Sequence, residues 1–302
     1  MHTGSDGEGR ALYGTFAATG FRATPLRFDN TNLTQAVKVY NKDGGRVYNA
    51  TLSASKIFAD RYELDAAYTY SNAADRISLT SSQALSNFQF APLDGTLTDR
   101  NVRPSAFDRR HKVTITGAAS LPYGFGAGLT FVEVSGSPYT WTVNGDVNAD
   151  GINGNDLVFV PASAAGISLM DPTQYDALAS FIDGQECLKQ AKGHFVQRGA
   201  CRNPWSEFLN LRGTWQSPAV KGQRVEVAVD VFDVLNLLNS KWGLFNQATG
   251  FENGTAFLRA VGYDAAAGRP IYTFTPPPQV VNTVYSPTSS RWRIQLGARY
   301  RF

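Results

Sequence analysis

Arg291-Trp292-Arg293-Ile294-Gln295-Leu296-Gly297-Ala298-Arg299-Tyr300-Arg301-Phe302 is the stretch that decides the fold. Trp292, Ile294, Leu296, Ala298, Tyr300 and Phe302 alternate with Arg291, Arg293, Gln295, Gly297, Arg299 and Arg301. A period of two puts every apolar residue on one side of an extended strand. A soluble sheet can alternate in this way, but it rarely gathers arginines on one face and then stops on an aromatic residue.

The same period recurs upstream. Ala50, Leu52, Ala54 and Phe58 alternate with Thr51, Ser53 and Ser55. After a turn at Ala59-Asp60-Arg61, Tyr62, Leu64, Ala66, Tyr68 and Tyr70 alternate with Glu63, Asp65, Ala67, Thr69 and Ser71, which reads as a hairpin. Val113, Ile115, Gly117, Ala119 and Leu121 form a further strand that turns through 122–125 into a return strand carrying Leu129 and Phe131. Its phase blurs at Glu133, where a bulge is expected. Leu209, Leu211 and Trp215, then Val225, Val227, Val229 and Val231, give another pair around a turn at 218–222. With the segments 11–18 and 36–40 included, about eight or nine strands are expected.

Composition fits such strands. Of the 302 residues 43% are apolar and only 18% charged, yet the mean hydropathy of -0.24 is that of a water-soluble chain. Strands that alternate lipid-facing apolar with lumen-facing polar residues occupy that gap. No stretch approaches the roughly 20 consecutive apolar residues of a membrane helix. The net charge of +3 is small and the basic residues are scattered, so no nucleic-acid partner is expected.

Three connections, 76–107, 142–205 and 237–289, far exceed the roughly 15 residues that a structureless loop reaches in a compact domain. Long loops at one end and short turns at the other are the asymmetry of an outer-membrane barrel, with the long loops extracellular and the short turns periplasmic. The fold class is therefore all-β: an antiparallel up-and-down transmembrane β-barrel. Aromatics fall at both ends. Phe58, Tyr62, Tyr123, Phe125, Trp215, Tyr300 and Phe302 lie near the turns, and Tyr48, Tyr70, Tyr139, Trp141 and Trp292 near the loops, as two interfacial girdles require. A soluble β-sandwich with aromatics at its strand ends is the alternative.

The terminal strand, with its final Phe302 and Tyr300, resembles the C-terminal signal by which outer-membrane proteins are recognised for barrel insertion. Ala67-Tyr68-Thr69-Tyr70-Ser71, Phe107-Asp108-Arg109-Arg110-His111-Lys112-Val113, Asn155-Asp156-Leu157-Val158-Phe159-Val160-Pro161, Cys201-Arg202-Asn203-Pro204-Trp205 and Asp230-Val231-Phe232-Asp233-Val234-Leu235-Asn236-Leu237-Leu238-Asn239 follow one another in the chain. Together with the terminal strand this set is similar to the C-terminal barrel of TonB-dependent receptors, in the branch with an N-terminal carboxypeptidase-regulatory-like domain. The resemblance runs from about residue 47 onward and implies a roughly 22-stranded barrel around a plug. It also implies that residues 1–302 are the C-terminal part of such a barrel, partial and not transport-competent alone. The N-terminal residues 1–8 carry no basic or apolar signal region, so the plug, a signal peptide and the N-terminal barrel strands are expected upstream. Outer-membrane lipid, those missing parts and, through the plug, TonB are the implied partners. The expected location is the outer membrane of a Gram-negative bacterium, and the expected role is uptake of a nutrient that these residues do not identify. A small non-transporting barrel, an adhesin or surface anchor, is the alternative.

Asp146-Val147-Asn148-Ala149-Asp150-Gly151 opens like a calcium loop, with oxygen ligands at alternate positions and a glycine for the turn. Asp146, Asn148, Asp150 and Asp156 are its candidate ligands. Asp156 stands one residue earlier than a twelve-position loop requires, and an ion-free Asx-rich turn is the alternative. Cys187 and Cys201 share one predicted extracellular loop and are expected to form a disulfide that removes about 3 kcal/mol of unfolded-state entropy. Two free thiols would fit a cytosolic chain. His2, His111 and His194 lie far apart and beside no nucleophile motif, so no catalytic residues and no enzyme activity are expected. The lumen-facing charges Glu63, Asp65, Arg212, Arg224, Glu226, Arg291, Arg293, Arg299 and Arg301 fit interior ion pairs or contacts to a plug.

Overall fold

The computed structural model describes residues 2–17, 20–26, 37–248 and 254–302. Seven long strands dominate it: β1 (Arg46–Phe58), β2 (Tyr62–Asp75), β3 (His111–Ser120), β4 (Phe125–Val134), β5 (Ser206–Gln216), β6 (Arg224–Phe232) and β7 (Arg293–Arg301). Each pairs antiparallel with its sequence neighbours, in the order β7-β6-β5-β4-β3-β2-β1, and the two-residue strand Arg103–Pro104 adds to the end of β2. The sheet is the up-and-down meander that alternation specifies. Short turns make it possible. At the first, Ala59 and Asp60 both take positive φ (49° and 52°) and the Arg61 amide donates to the Phe58 carbonyl, the turn sense that matches the twist of paired strands.

Register keeps the two faces apart through the middle of the sheet. Leu52 stands opposite Tyr68, Tyr68 opposite Val113, Ile115 opposite Phe131, Leu129 opposite Leu211, Leu211 opposite Val231, and Val229 opposite Leu296. A one-residue slip anywhere would put apolar side chains among the polar ones. Among the described residues the apolar face nonetheless has no protein against it: Leu52 is 77% and Leu296 75% exposed. A continuous apolar surface of this size calls for a non-aqueous solvent.

The sheet does not close. Among the described residues β1 pairs only with β2 and β7 only with β6, and every residue of both edge strands is exposed. The expected open arc is present with seven spanning strands, fewer than the eight or nine read from the sequence. The segment 11–18 contributes only the pairs Ala11–Leu12 with Gly4–Ser5 and Gly14–Phe16 with Ala23–Pro25, small hairpins away from the sheet. Its last residue, and residue 36 of the other segment, lie outside the described residues. Residues 37–40 adopt no strand. No bulge occurs at Glu133 either. The ladder runs unbroken to Val134 on both sides, and Glu133 keeps its place on the apolar face opposite Glu207.

The three long connections fold together into a cap at one end of the arc. A five-stranded mixed sheet forms its frame, in the order Ser168–Leu169, Arg269–Phe274, Gly254–Asp264, Pro138–Asn144 and Cys201–Arg202. The central pair, Pro138–Asn144 with Gly254–Asp264, is parallel. Helices Tyr175–Asp183 and Glu186–Lys189 cover it, and Leu178, Ile182, Leu188, Val160, Phe257 and Tyr272 close a core around Trp141. Trp141 is fully buried and meets Tyr139, Phe181 and Phe257 edge-on, the geometry that aromatic quadrupoles favour. No helix among the described residues is long and apolar enough to cross a membrane.

Candidate functional site

The polar face of the sheet is the wall of whatever space the barrel encloses. Glu63, Asp65, Thr116, Asn210, Arg212 and Asp230 line a depression of about 440 Å³ on it. The charges are paired across strands: Arg212 Nη1 donates to Asp230 at 3.0 Å, and Arg301 Nη2 to Glu226 at 3.3 Å. Thr116 donates to Asp65, and the Arg293 guanidinium lies 4.7 Å from the Phe232 ring centre. Arg291, just outside β7, stacks over Tyr285 instead. These side chains support one another and leave most of the wall accessible, as a lumen surface requires.

The turn-end girdle is exposed as expected, from Phe58 and Tyr62 to Tyr300 and Phe302. The loop-end girdle differs in membership. Tyr48, Tyr70 and Trp292 are exposed, but Tyr139 and Trp141 are buried in the cap core. Their strand, Pro138–Asn144, bonds to cap strands on both sides instead of continuing the meander. An aromatic at the end of an alternating run suits a lipid interface and a hydrophobic core equally, so the sequence alone could not separate them. Tyr68 and Trp205 take their place. Trp205 stacks on His111 with ring centres 5.7 Å apart, and Tyr68 Oη meets His111 Nδ1 at 2.7 Å. Beside them Glu133, Glu207, Lys241 and Trp242 line a polar notch of about 270 Å³. This position of His111 is interfacial, and its backbone amide donates to Ser135 Oγ at 3.0 Å.

The cap is joined to the sheet by ion pairs that each have one buried partner. Arg198 Nη2 meets Asp75 Oδ1 at 2.8 Å, Arg103 Nε meets Asp94 at 2.8 Å, and Arg202 pairs with Asp108. Asp94 sits below the usual carboxylate range, because hydrogen bonds from Arg103, Asn101 and the Arg198 amide outweigh the penalty of burial. Among the described residues Arg100 forms no ion pair, although the Asp150 charge acts on it. Its Nη1 and Nη2 donate to the Ala91 and Phe88 carbonyls, and burial brings its pKa down to about 10.

The N-terminal segment threads into the cap with its charges inward. Asp6, Glu8 and Arg10 are all buried. Arg10 faces Glu8 at 3.3 Å, Asp156 at 3.6 Å and Asp6 at 3.7 Å, while the Tyr272 hydroxyl donates to Glu8. Burial pushes the carboxyls of Asp6 and Glu8 up despite the arginine.

Loop 146–156 lies against this segment. Asp146 accepts from the amides of Asp150 (3.1 Å) and Gly151 (2.9 Å), Asn148 Oδ1 from the Asp150 amide (2.8 Å), and Asp150 Oδ1 from the Ile152 amide (2.7 Å). Burial, then the neighbouring Asp150, lifts Asp146 to about 6. Asp156 departs from the expected ligand set. One of its oxygens accepts from the Val147 amide at 3.0 Å and the other faces Arg10. Among the described residues no three acidic, histidine or cysteine side chains converge as a metal cluster.

Cys187 and Cys201 form the expected disulfide, with Cα atoms 5.3 Å apart. Its setting differs from a bare exposed loop: Cys201 belongs to the cap core. The buried charges of Asp6, Glu8 and Arg10 were not foreseen, and the only signal for them is the run of alternating charges among glycines at 6–10.

A family described as outer membrane beta barrel domain matches residues 11–257. No curated protein and no solved structure matches the chain.

Proposed function

Because the chain belongs to the outer membrane beta barrel domain family, we propose that it is the C-terminal barrel portion of a TonB-dependent receptor, which takes up a nutrient across the outer membrane of a Gram-negative bacterium. The observation that carries this reading is the open arc: seven strands with one continuous apolar face end on two unpaired edges, β1 and β7. Lipid does not tolerate unpaired backbone edges, so further strands complete the circle. The space that such a barrel encloses grows with strand number and is plugged in the largest barrels. A folded cap over one end suits ligand capture from outside, and the paired charges of the inner wall suit contact with a plug. On this reading the gate and the energy coupling belong to the plug.

The test is to capture the native protein from outer membranes with an antibody to the cap, after in-cell cross-linking. The expected result is a polypeptide longer than 302 residues that contains a plug and co-purifies with a periplasmic energy-coupling protein. A closed anchor of this length would contradict the reading. It would show itself by a disulfide forming between cysteines placed at Thr51 in β1 and Gln295 in β7.

A further inference from the structure

The receptor reading gives loop 146–156 no role, and the structure assigns it one: we infer that it binds a calcium ion through side-chain oxygens of Asp146, Asn148, Asp150 and Asn155. Asn155 thereby replaces Asp156, the closing ligand that the spacing indicates. Three features of the loop support this, beginning with Asn155 itself.

Asn155 is 0% exposed. Its Nδ2 donates to Asp150 Oδ2 at 3.0 Å, which aims the amide into the cluster, while its Oδ1 has no partner among the described residues. A buried carbonyl oxygen left in that state is unfavourable, and an amide side chain can turn either oxygen or nitrogen toward its neighbour. A cation beside Asn155 would satisfy that oxygen, and at Asp150 Oδ2 it would take the place of the amide hydrogens of Asn148 and Asn155. The second feature is charge. Neither Asp146 nor Asp150 forms an ion pair among the described residues: Arg10 is engaged by Asp6, Glu8 and Asp156, and Arg100, near enough for its charge to act on Asp150, directs its Nη groups to the Ala91 and Phe88 carbonyls. The third is the wrap of the chain. The amides at 150, 151 and 152 each donate to these side chains, while both oxygens of Asp146, Asn148 Oδ1 and Asp150 Oδ1 keep a second lone pair. Calcium accepts such mixed sets of carboxylate, amide and backbone oxygens, and the seventh position of a loop of this kind, here Ile152, supplies a carbonyl. A third carboxylate is not required.

The placement also gives the ion a consequence. The Tyr13 amide donates to the Asn148 carbonyl at 2.8 Å, and the Leu93 amide to the Asn155 carbonyl at 2.7 Å. At Gly14 a side chain would meet the Ala149 carbonyl at 2.9 Å and the Thr24 carbonyl closer still, so the N-terminal hairpin is pressed against the loop. Calcium that binds only the assembled loop stabilises the docking of both segments by mass action.

The experiment uses the full folded chain in detergent, dialysed against a chelator and titrated with calcium chloride or magnesium chloride in a calorimeter. One calcium should bind with Kd in the range of about 0.1 to 1 mM, with magnesium weaker by roughly tenfold or more. Asp150→Asn should weaken binding by about tenfold or more, and Asn155→Asp, which adds a charge without removing a ligand, should tighten it several-fold. The gain cannot come from misfolding. Absence of calcium binding at millimolar concentrations, equal binding of magnesium, or no gain in Asn155→Asp would each overturn the proposal.

Discussion

Leu296 and Leu178 are the same residue type in one chain, yet the first lies 75% exposed on the outer face of β7 and the second is wholly buried under the cap. The sheet is built inside out. Its apolar side chains point away from the protein and its polar ones inward, so it has no core, and lipid supplies the apolar surroundings that a soluble fold makes for itself. The cap follows the opposite rule and closes around Trp141. One alternation of apolar and polar residues serves both, and what differs is which solvent receives the apolar side.

The sharpest way to break this contrast is Trp141→Ala. Truncating a fully buried aromatic that touches Tyr139, Phe181 and Phe257 should cost the cap about 3–5 kcal/mol. Hydrogen exchange should show cap amides losing protection while β1 to β7 keep theirs. If the sheet amides open together with the cap, the two regions are one cooperative unit and the contrast fails.

Leu296→Arg probes the other rule. On a soluble surface an arginine at so exposed a position costs almost nothing, whereas on a lipid face near the middle of the bilayer it costs about 2–4 kcal/mol. Folding titrations into lipid vesicles should show that loss. Arginine at the neighbouring Gln295, on the polar face, should change stability much less.

Removing the staple concerns the cap alone. Cys187→Ser should lower its stability by about 3 kcal/mol through the loop that the disulfide closes. Near-ultraviolet dichroism of the cap during urea titration measures this, and reductant should lower the wild type equally. A sheet-specific signal that moved as much would mean that the bond acts beyond the cap.

Acidity gives the smallest effect. Asp6 and Glu8 bind their protons more tightly folded than unfolded, because they are buried. Such groups add stability below their unfolded pKa of about 4, and that contribution is lost as pH rises through the raised folded values. Asp94 has the opposite sign, and its contribution falls away only as pH drops below about 4. The cap of the wild type should therefore melt at a higher temperature near pH 5 than near pH 7, and Glu8→Gln should reduce that difference. A cap that is more stable at pH 7 would show that Arg10 outweighs burial.

The seven strands were legible because each repeats one local period over most of nine residues or more, and lipid on one side favours that period. The cap was not. Its frame depends on a parallel pairing between Pro138–Asn144 and Gly254–Asp264, and on two-residue strands such as Ser168–Leu169. No local period records partners that far apart. On sequence alone, residues 142–205 therefore read as loop and Trp141 as interfacial. Spacing exposed the Asp146 motif but not the engagement of Asp156, since the alternation of Asp and Asn carries no trace of Arg10 arriving from the other end of the chain to face it. The disulfide was legible because only two cysteines exist and both fall in one connection.

The central claim is that the apolar face of the arc meets lipid and the polar face meets water. Single cysteines at 63 through 69 in β2, spin-labelled in reconstituted bilayers, test it most directly. The account predicts an alternation along the strand: labels at Leu64, Ala66 and Tyr68 collide preferentially with oxygen dissolved in lipid, and those at Glu63, Asp65, Ala67 and Thr69 with a water-soluble nickel complex. Equal access of the nickel complex to all seven positions would contradict it.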